Sequence, residues 1–236
     1  RDRLRSRGLG DVYKRQSQGK GGIVRMRYYN ADGGEAEMCG NGARCFGNFA
    51  AALLHHDKTA PLPFETMAGV VTATFEKDGN VTVNLTNPHS MQLFVLNADP
   101  TVGADVHFLN TGVPHAVAFL DKLEDLNISR LGAYLRYHEA FSPKGTNANF
   151  ARILSPGHIA IRTYERGVED ETLACGTGMT ACALLHAVLA DAPSPIQVDV
   201  AGGDTLKVGF QRTGDRFTDV TLTGPADLVF TGDIQI

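Results

Sequence analysis

Two segments of this chain have residues suited to acid–base chemistry, and they are nearly the same. Cys39-Gly40-Asn41-Gly42 precedes ARCFGNFAAALL, and Cys175-Gly176-Thr177-Gly178 precedes MTACALLHAVLA, 136 positions further on. Each sets a cysteine and two glycines before a run of small and apolar residues of helical length. That pattern predicts a turn feeding a helix N-terminus. The unpaired N–H groups of such a terminus carry a positive partial charge. They stabilise a thiolate and also bind a carboxylate. Two such sites predict two similar halves, each presenting a thiol and an anion cradle.

Inversion of a stereocentre beside a carboxylate uses this pairing. One thiolate removes the Cα proton from one face, and a thiol on the other face returns a proton. The intermediate carbanion is nearly planar and spreads its charge into the carboxylate, where two helix N-termini stabilise it. A free thiol with pKa about 8.5 has to be lowered to act as the base and kept protonated to act as the acid, so the surroundings must split the pair. The scheme needs no cofactor, and neither motif has a lysine to bind pyridoxal. The other readings of Cys39 and Cys175 are structural thiols, zinc ligands or a phosphate loop. The chain has neither CxxC-type nor His-paired zinc spacing, and no GxxxxGK[ST] match, so no metal is expected. His55-His56 reads as the solvated end of the first helix. Aligning Cys39 with Cys175 sets Cys45 opposite Ala181 and Cys182 opposite Phe46. Cys45 and Cys182 share no register, and both are expected to be small buried hydrophobes.

The elements that position the motifs are mostly short strands. IVRMRYYN (23–30) alternates and meets the turn at 31–34. The first helix is expected from Cys39 to about Asp57. Strands follow at 64–66, 70–76, 81–86, 92–96, 106–111 and 115–120, with Asp78-Gly79 as a hairpin turn. Asn127 is an N-cap for SRLGAYLRYH. The second half repeats the order with FARIL (150–154), IAIRTYE (159–165), the helix at 175–190, and then IQVDV, TLKVGF, FTDVTL and DLVF. Antiparallel runs with one long helix per half imply an α+β fold rather than a doubly wound sheet. Each central helix, apolar and rich in small residues, is expected to be wrapped by its own half's strands.

The composition is that of a globular chain of 236 residues, 43% hydrophobic and 20% charged. It has no apolar run of 18 residues, so no membrane span is expected. Four cysteines in so long a chain do not make a disulfide framework, which favours a reducing cytoplasm. Residues 1–16 carry a net +4 against −4 for the whole chain, leaving −8 on the rest. This segment has no apolar periodicity and reads as a non-native or disordered leader. No other segment is basic enough for a nucleic-acid partner.

NADG-x5-CGNGARCF at 30–46, TGVPH at 111–115, GTNANF at 145–150 and YERGVEDETLACGTG at 164–178 resemble diaminopimelate epimerases, and the likeness runs from about residue 22 to the C-terminus. The resemblance implies two pseudo-symmetric halves, each a mainly antiparallel barrel-like sheet around a central helix, with the site in the cleft between them. The divisions implied are 17–110 for the N-terminal half, 111–225 for the C-terminal half, and 226–236 as a strand returning to the N-terminal half. The activity implied is conversion of LL-2,6-diaminopimelate to the meso form, in lysine and cell-wall synthesis, without cofactor. Cys39 and Cys175 would be the acid/base thiols, and Gly40, Asn41, Gly176 and Thr177 would cradle the reacting carboxylate. Asn30, Asn147 and Arg166 would hold the distal end of the substrate, with Glu165 near an amino group. His115 and Glu165 would tune the thiols. Taken alone, Asn30 also fits a turn, Asn147 and Asn149 loop positions, Glu165-Arg166 an exposed ion pair, and His115 a structural histidine.

The chain departs from the family at two places. Val113 stands where many members have Asn, which would remove a polar substrate contact. Residues 1–21 match neither the HGxGNDF-type strand nor the following polar segment of the family, so the N-terminal segment is expected to be absent. That absence would leave an unpaired sheet edge through which copies could form a homodimer. The alternative functions are another cofactor-independent racemase, such as a proline racemase relative, or a non-catalytic amino-acid-binding protein on this scaffold.

Overall fold

The computed structural model describes residues 23–29, 33–36 and 38–230. Expectations for the leader, Asn30 and residues 231–236 lie outside these. The order is β1 (Tyr28–Tyr29), β2 (Glu35–Ala36), α1 (Gly40–Leu53), β3 (Leu62–Thr66), β4 (Gly69–Phe75), β5 (Val81–Asn84), β6 (His89–Asp99), β7 (Ala104–Asn110), β8 (Pro114–Phe119), α2 (Ile128–Arg136), β9 (Asn147–Ser155), β10 (His158–Glu165), β11 (Asp170–Thr172), α3 (Gly176–Ala190), β12 (Ile196–Val200), β13 (Thr205–Thr213) and β14 (Arg216–Gly224). The class is α+β, as expected. The first expected strand is reduced to β1, paired with β2, and a bridge from Arg25 to Glu65. Leu228, Val229 and Phe230 of the expected DLVF strand form none and stand exposed.

Twelve strands form one continuous sheet in the order β3-β4-β5-β14-β13-β12-β10-β9-β8-β7-β6, with β11 on β10. Pairing is mainly antiparallel. Two neighbours, β8–β9 and β10–β12, are parallel. Parallel neighbours need a crossover, and α2 and α3 supply one each. Residues 110 and 111 lie in the β7–β8 hairpin, where Asn110 faces Pro114, and β5 pairs with β14, where Val83 faces Leu222.

The helices differ in how far they are covered. Eleven of the fifteen residues of α3 are buried, so it is apolar all round and enclosed by the sheet. Only eight of fourteen are buried in α1, all on one face. It ends sooner than expected. His55 turns left-handed at φ 49°, and the His56 N–H closes on the Ala51 carbonyl at 2.9 Å, which is a Schellman stop. The cores of α1 and α3 merge into one cluster, and a second cluster lies under α2.

Both sheet edges are modified. Strand β6 turns left-handed at every fourth residue, Ser90, Phe94 and Ala98, and its register shifts between them. The Phe94 and Ala98 N–H groups donate to His107 Nδ1 and Asp105 Oδ1 rather than to a backbone. Such bulging prevents a further strand from adding. At the other edge, Glu65 of β3 exchanges backbone hydrogen bonds of 2.8 and 2.9 Å with Met26 and Val24.

Helix α2 is seated by Gly132. A methyl there would run into the Tyr164 ring and its Cβ. An isolated helix gains about 1 kcal/mol from Gly→Ala; overpacking costs about 1–3 kcal/mol and reverses the sign. Urea denaturation should show Gly132→Ala destabilised by about 2 kcal/mol. Gly157→Ala, which would meet nothing within 4 Å, should stay within about 0.5 kcal/mol of the parent.

Candidate active site

The site is built where α1 and α3 begin. A Cβ placed on Gly176 would lie 3.4 Å from the Gly40 Cα, and one on Gly40 would lie 3.7 Å from the Gly176 Cα. Both would press on Leu222 Cδ2, at 3.2 and 3.1 Å. The first residues of the two helices are therefore in backbone contact, wedged by one leucine of β14. Two helix N-termini meeting in this way concentrate positive partial charge at one place, which is a cradle for an anion.

Each helix has a cysteine as its N-cap, with extended backbone at φ −138° for Cys39 and −119° for Cys175. The Gly42 N–H donates to Cys39 Sγ at 3.4 Å, and Cys175 Sγ lies 3.5 Å from Thr177 Oγ1. Burial pushes both thiols up. For Cys39 the Gly42 N–H and Tyr28 oppose the rise, and the Glu165 carboxylate adds to it. Cys175 is raised well above the ordinary thiol, first by burial, then by Glu165, with the charge of Cys39 contributing. Cys175 is thus raised further than Cys39, and a negative charge on Cys39 favours the protonated form of Cys175.

The other two cysteines split. Cys182 is fully buried and burial pushes its thiol far up, as expected of a core residue. Cys45 is exposed, contrary to expectation. It falls on the uncovered face of α1, because that helix packs on one side only.

Behind Cys175 lies a buried polar cluster. A Cβ on Gly178 would strike Asn149 Oδ1 and lie 3.3 Å from Cys175 Sγ, so only glycine lets the three pack. Asn149 Nδ2 donates to the Ala116 carbonyl at 3.0 Å, which sets the orientation of its amide. The same nitrogen then donates to His115 Nδ1 at 3.1 Å, while Oδ1 accepts from Thr163 Oγ1. The His115 proton is therefore on Nε2, and that buried N–H has no hydrogen-bond partner among the described residues. Burial, reinforced by the Arg166 cation, lowers the ring's pKa to about 3, so the ring is neutral at pH 7.

Asn147 and Asn149 both sit on β9 rather than in a loop. Asn147 pins the turn after β10, its Oδ1 accepting from the Arg166 N–H at 2.8 Å and its Nδ2 donating to the Pro114 carbonyl at 2.9 Å. Arg166 Nη1 donates to the Lys144 carbonyl, and Glu165 Oε1 accepts from Thr172 Oγ1. Asn41 Nδ2 reaches across to the Ala174 carbonyl at 3.4 Å, and Thr111 Oγ1 donates to the Thr177 carbonyl at 2.9 Å. Sequence reasoning missed Thr111, Thr163, Tyr28 and Leu222, whose types carry no chemical signature of their own. The role of Asn149 was visible only as its i+2 spacing from Asn147 on one strand face.

The profile of the diaminopimelate epimerase family matches residues 15–91 and 107–229. A diaminopimelate epimerase of Hydrogenobaculum sp. is 42% identical over 210 residues, 87% of this chain and 73% of that protein. One from Aquifex aeolicus is 42% identical over 214 residues, 89% of this chain and 74% of that protein. Among solved structures, a PhzF-family phenazine biosynthesis protein of Bacillus anthracis matches with TM-score 0.67 at 14% identity, covering 89% of this chain and 80% of that one. A hydroxyproline epimerase of Agrobacterium vitis matches with TM-score 0.63 at 18% identity, covering 94% and 76%. These structural likenesses show the two-part, barrel-like fold.

Two measurements test this geometry. Mild alkylation of the native chain followed by peptide mapping should modify Cys45 first and leave Cys182 untouched, whereas rapid loss of Cys182 would contradict its burial. The His115 ring gives a pH test. Below about pH 6.5 the unfolded chain binds a proton that the folded ring refuses until about pH 3. The stability contributed by the neutral ring is complete above pH 6.5 and falls as pH drops toward 3, at about 1.4 kcal/mol per unit. Denaturation at pH 6.5 and 4.5 should show a shallower loss for His115→Gln than for the parent, by about that slope.

Proposed function

The chain belongs to the diaminopimelate epimerase family and is an isomerase; we propose that it inverts LL-2,6-diaminopimelate to the meso form with Cys39 and Cys175 as the acid/base pair. The observation that supports this most is the backbone contact of Gly40 with Gly176, each following a cysteine N-cap. A substrate carboxylate bound by both helix N-termini has a thiol on either side of its Cα.

The Cys39 thiolate takes the Cα proton, and the C–H electron pair passes into the carboxylate. Each well-aimed donor stabilises such a developing charge by on the order of 3 kcal/mol. The Cys175 S–H then delivers its proton to the opposite face, and the reverse reaction exchanges the two roles. Gly40, Asn41, Gly176 and Thr177 form the cradle. Asn30, Asn147, Glu165 and Arg166 receive the distal amino-acid end, Asn147 by holding the 165–166 turn in place. His115 and Glu165 set the protonation of the thiols. The scheme needs no cofactor. The proposed division is an N-terminal half around α1 and a C-terminal half around α3, and the proposed setting is the cytoplasm, where free thiols persist. Leu53, Leu54, Met67 and Val70 are exposed on the N-terminal half, which favours a homodimer.

Turnover in heavy water, stopped early, tests the mechanism. The abstracted proton stays in the closed cleft, while the opposite thiol enters already exchanged. Newly inverted product should carry Cα deuterium and recovered substrate should remain mostly unlabelled. Equal early labelling of both would sink the two-thiol reading. Cys39→Ala and Cys175→Ala should each lower turnover in both directions by on the order of 10³-fold.

A further inference from the structure

Arg44 is 5% exposed, yet it forms no ion pair with a carboxylate among the described residues. It lies one helical turn after Asn41 on α1, and its Nη1 donates to Asn41 Oδ1 at 3.0 Å. Its Nε donates to the Pro225 carbonyl at 3.4 Å, just past β14, the strand shared by both helical neighbourhoods. Asn41 in turn donates to the carbonyl of Ala174, the residue before Cys175. A buried cation with only neutral partners is costly, so a compensating negative charge is expected nearby.

We propose that Arg44 is a positioning residue that locks Asn41 between the two cysteine turns and brings a fixed positive charge to the first turn of α1, which Cys39 caps. This rests on the acid/base role assigned to Cys39 above. Burial, the Gly42 and Asn41 N–H groups, Tyr28 from β1 and Glu165 from β10 act on Cys39; the Cys39 charge in turn acts on Arg44 of α1 and on Cys175 of α3. The charges that most favour the Arg44 cation are those of Cys45 and Cys39, followed by Asp204. Cys45 is exposed, so water screens it; Cys39 is less exposed, so its charge is screened less. The planar guanidinium also serves Asn41 and Pro225 at once, which an ammonium cannot do in the same geometry.

The test uses the full chain with Arg44→Met and Arg44→Lys. Cys39 alkylation by iodoacetamide is followed against pH by peptide mapping, alongside kcat and KM for diaminopimelate. Arg44→Met should move the Cys39 alkylation midpoint upward by about one pH unit, a tenfold slower reaction at fixed pH below it, and lower kcat more than it raises KM. Arg44→Lys should retain the parent alkylation curve and recover part of kcat. If Arg44→Met does not fold, Arg44→Gln, which keeps an N–H donor without the charge, is read in the same way. An alkylation curve unchanged in the neutral variants overturns the proposal, even if kcat falls. A chain that never turns over diaminopimelate defeats the functional reading instead, and the alkylation curve still decides the role of Arg44.

Discussion

The structure depends on two helices beginning against each other. Gly40 and Gly176 touch through their backbones, and no residue with a side chain fits there without moving Leu222. The contact has an electrostatic cost, since it faces two positive helix ends toward one another. A carboxylate placed between them would relieve that cost. The glycines at 42 and 178 extend the constraint. Gly42 gives its N–H to Cys39, and Gly178 leaves room for Asn149 beside Cys175.

Holding two helix ends in contact requires a rigid frame. The frame is one sheet that passes without a break from the surroundings of α1 to those of α3, through β5, β14 and β13. Leu222 on β14 is the wedge, and Pro225, just past the end of the same strand, accepts from Arg44. Strands β8 and β9 run parallel, so His115 faces Asn147 and Val117 faces Asn149 across the ladder. The buried His115–Asn149–Thr163 cluster thereby stands behind the Cys175 turn. Full satisfaction of the Asn149 amide keeps this cluster in one arrangement.

The thiols show why burial and function go together. Desolvation raises both, which by itself would leave two inert acids. Both thiols meet the Glu165 carboxylate and a backbone N–H, with Tyr28 serving Cys39 and Thr177 serving Cys175; Glu165 ranks just after burial for Cys175, where the charge of Cys39 adds to it. Two motifs alike in sequence therefore hold thiols raised to different extents.

The sequence by itself determined the local devices. The paired Cys-Gly turns, the Asn127 cap, the Asp78-Gly79 hairpin and most strands were legible, because capping and alternation are properties of neighbouring residues. Cysteine N-caps at 39 and 175 followed from the same local logic. Tertiary structure decided what depends on distant partners. Cys45 was read as core from its apolar neighbours, yet α1 is covered on one face only, and helical period then places Cys45 outside. The parallel pairs β8–β9 and β10–β12 were not visible, since crossover pairing joins strands far apart in the chain. Asn147 looked like a loop residue until β8 and β10 arrived beside it and gave its amide a carbonyl and an N–H to bind. The contact of Gly40 with Gly176 likewise exists only when the sheet closes, because nothing in either turn specifies the position of the other.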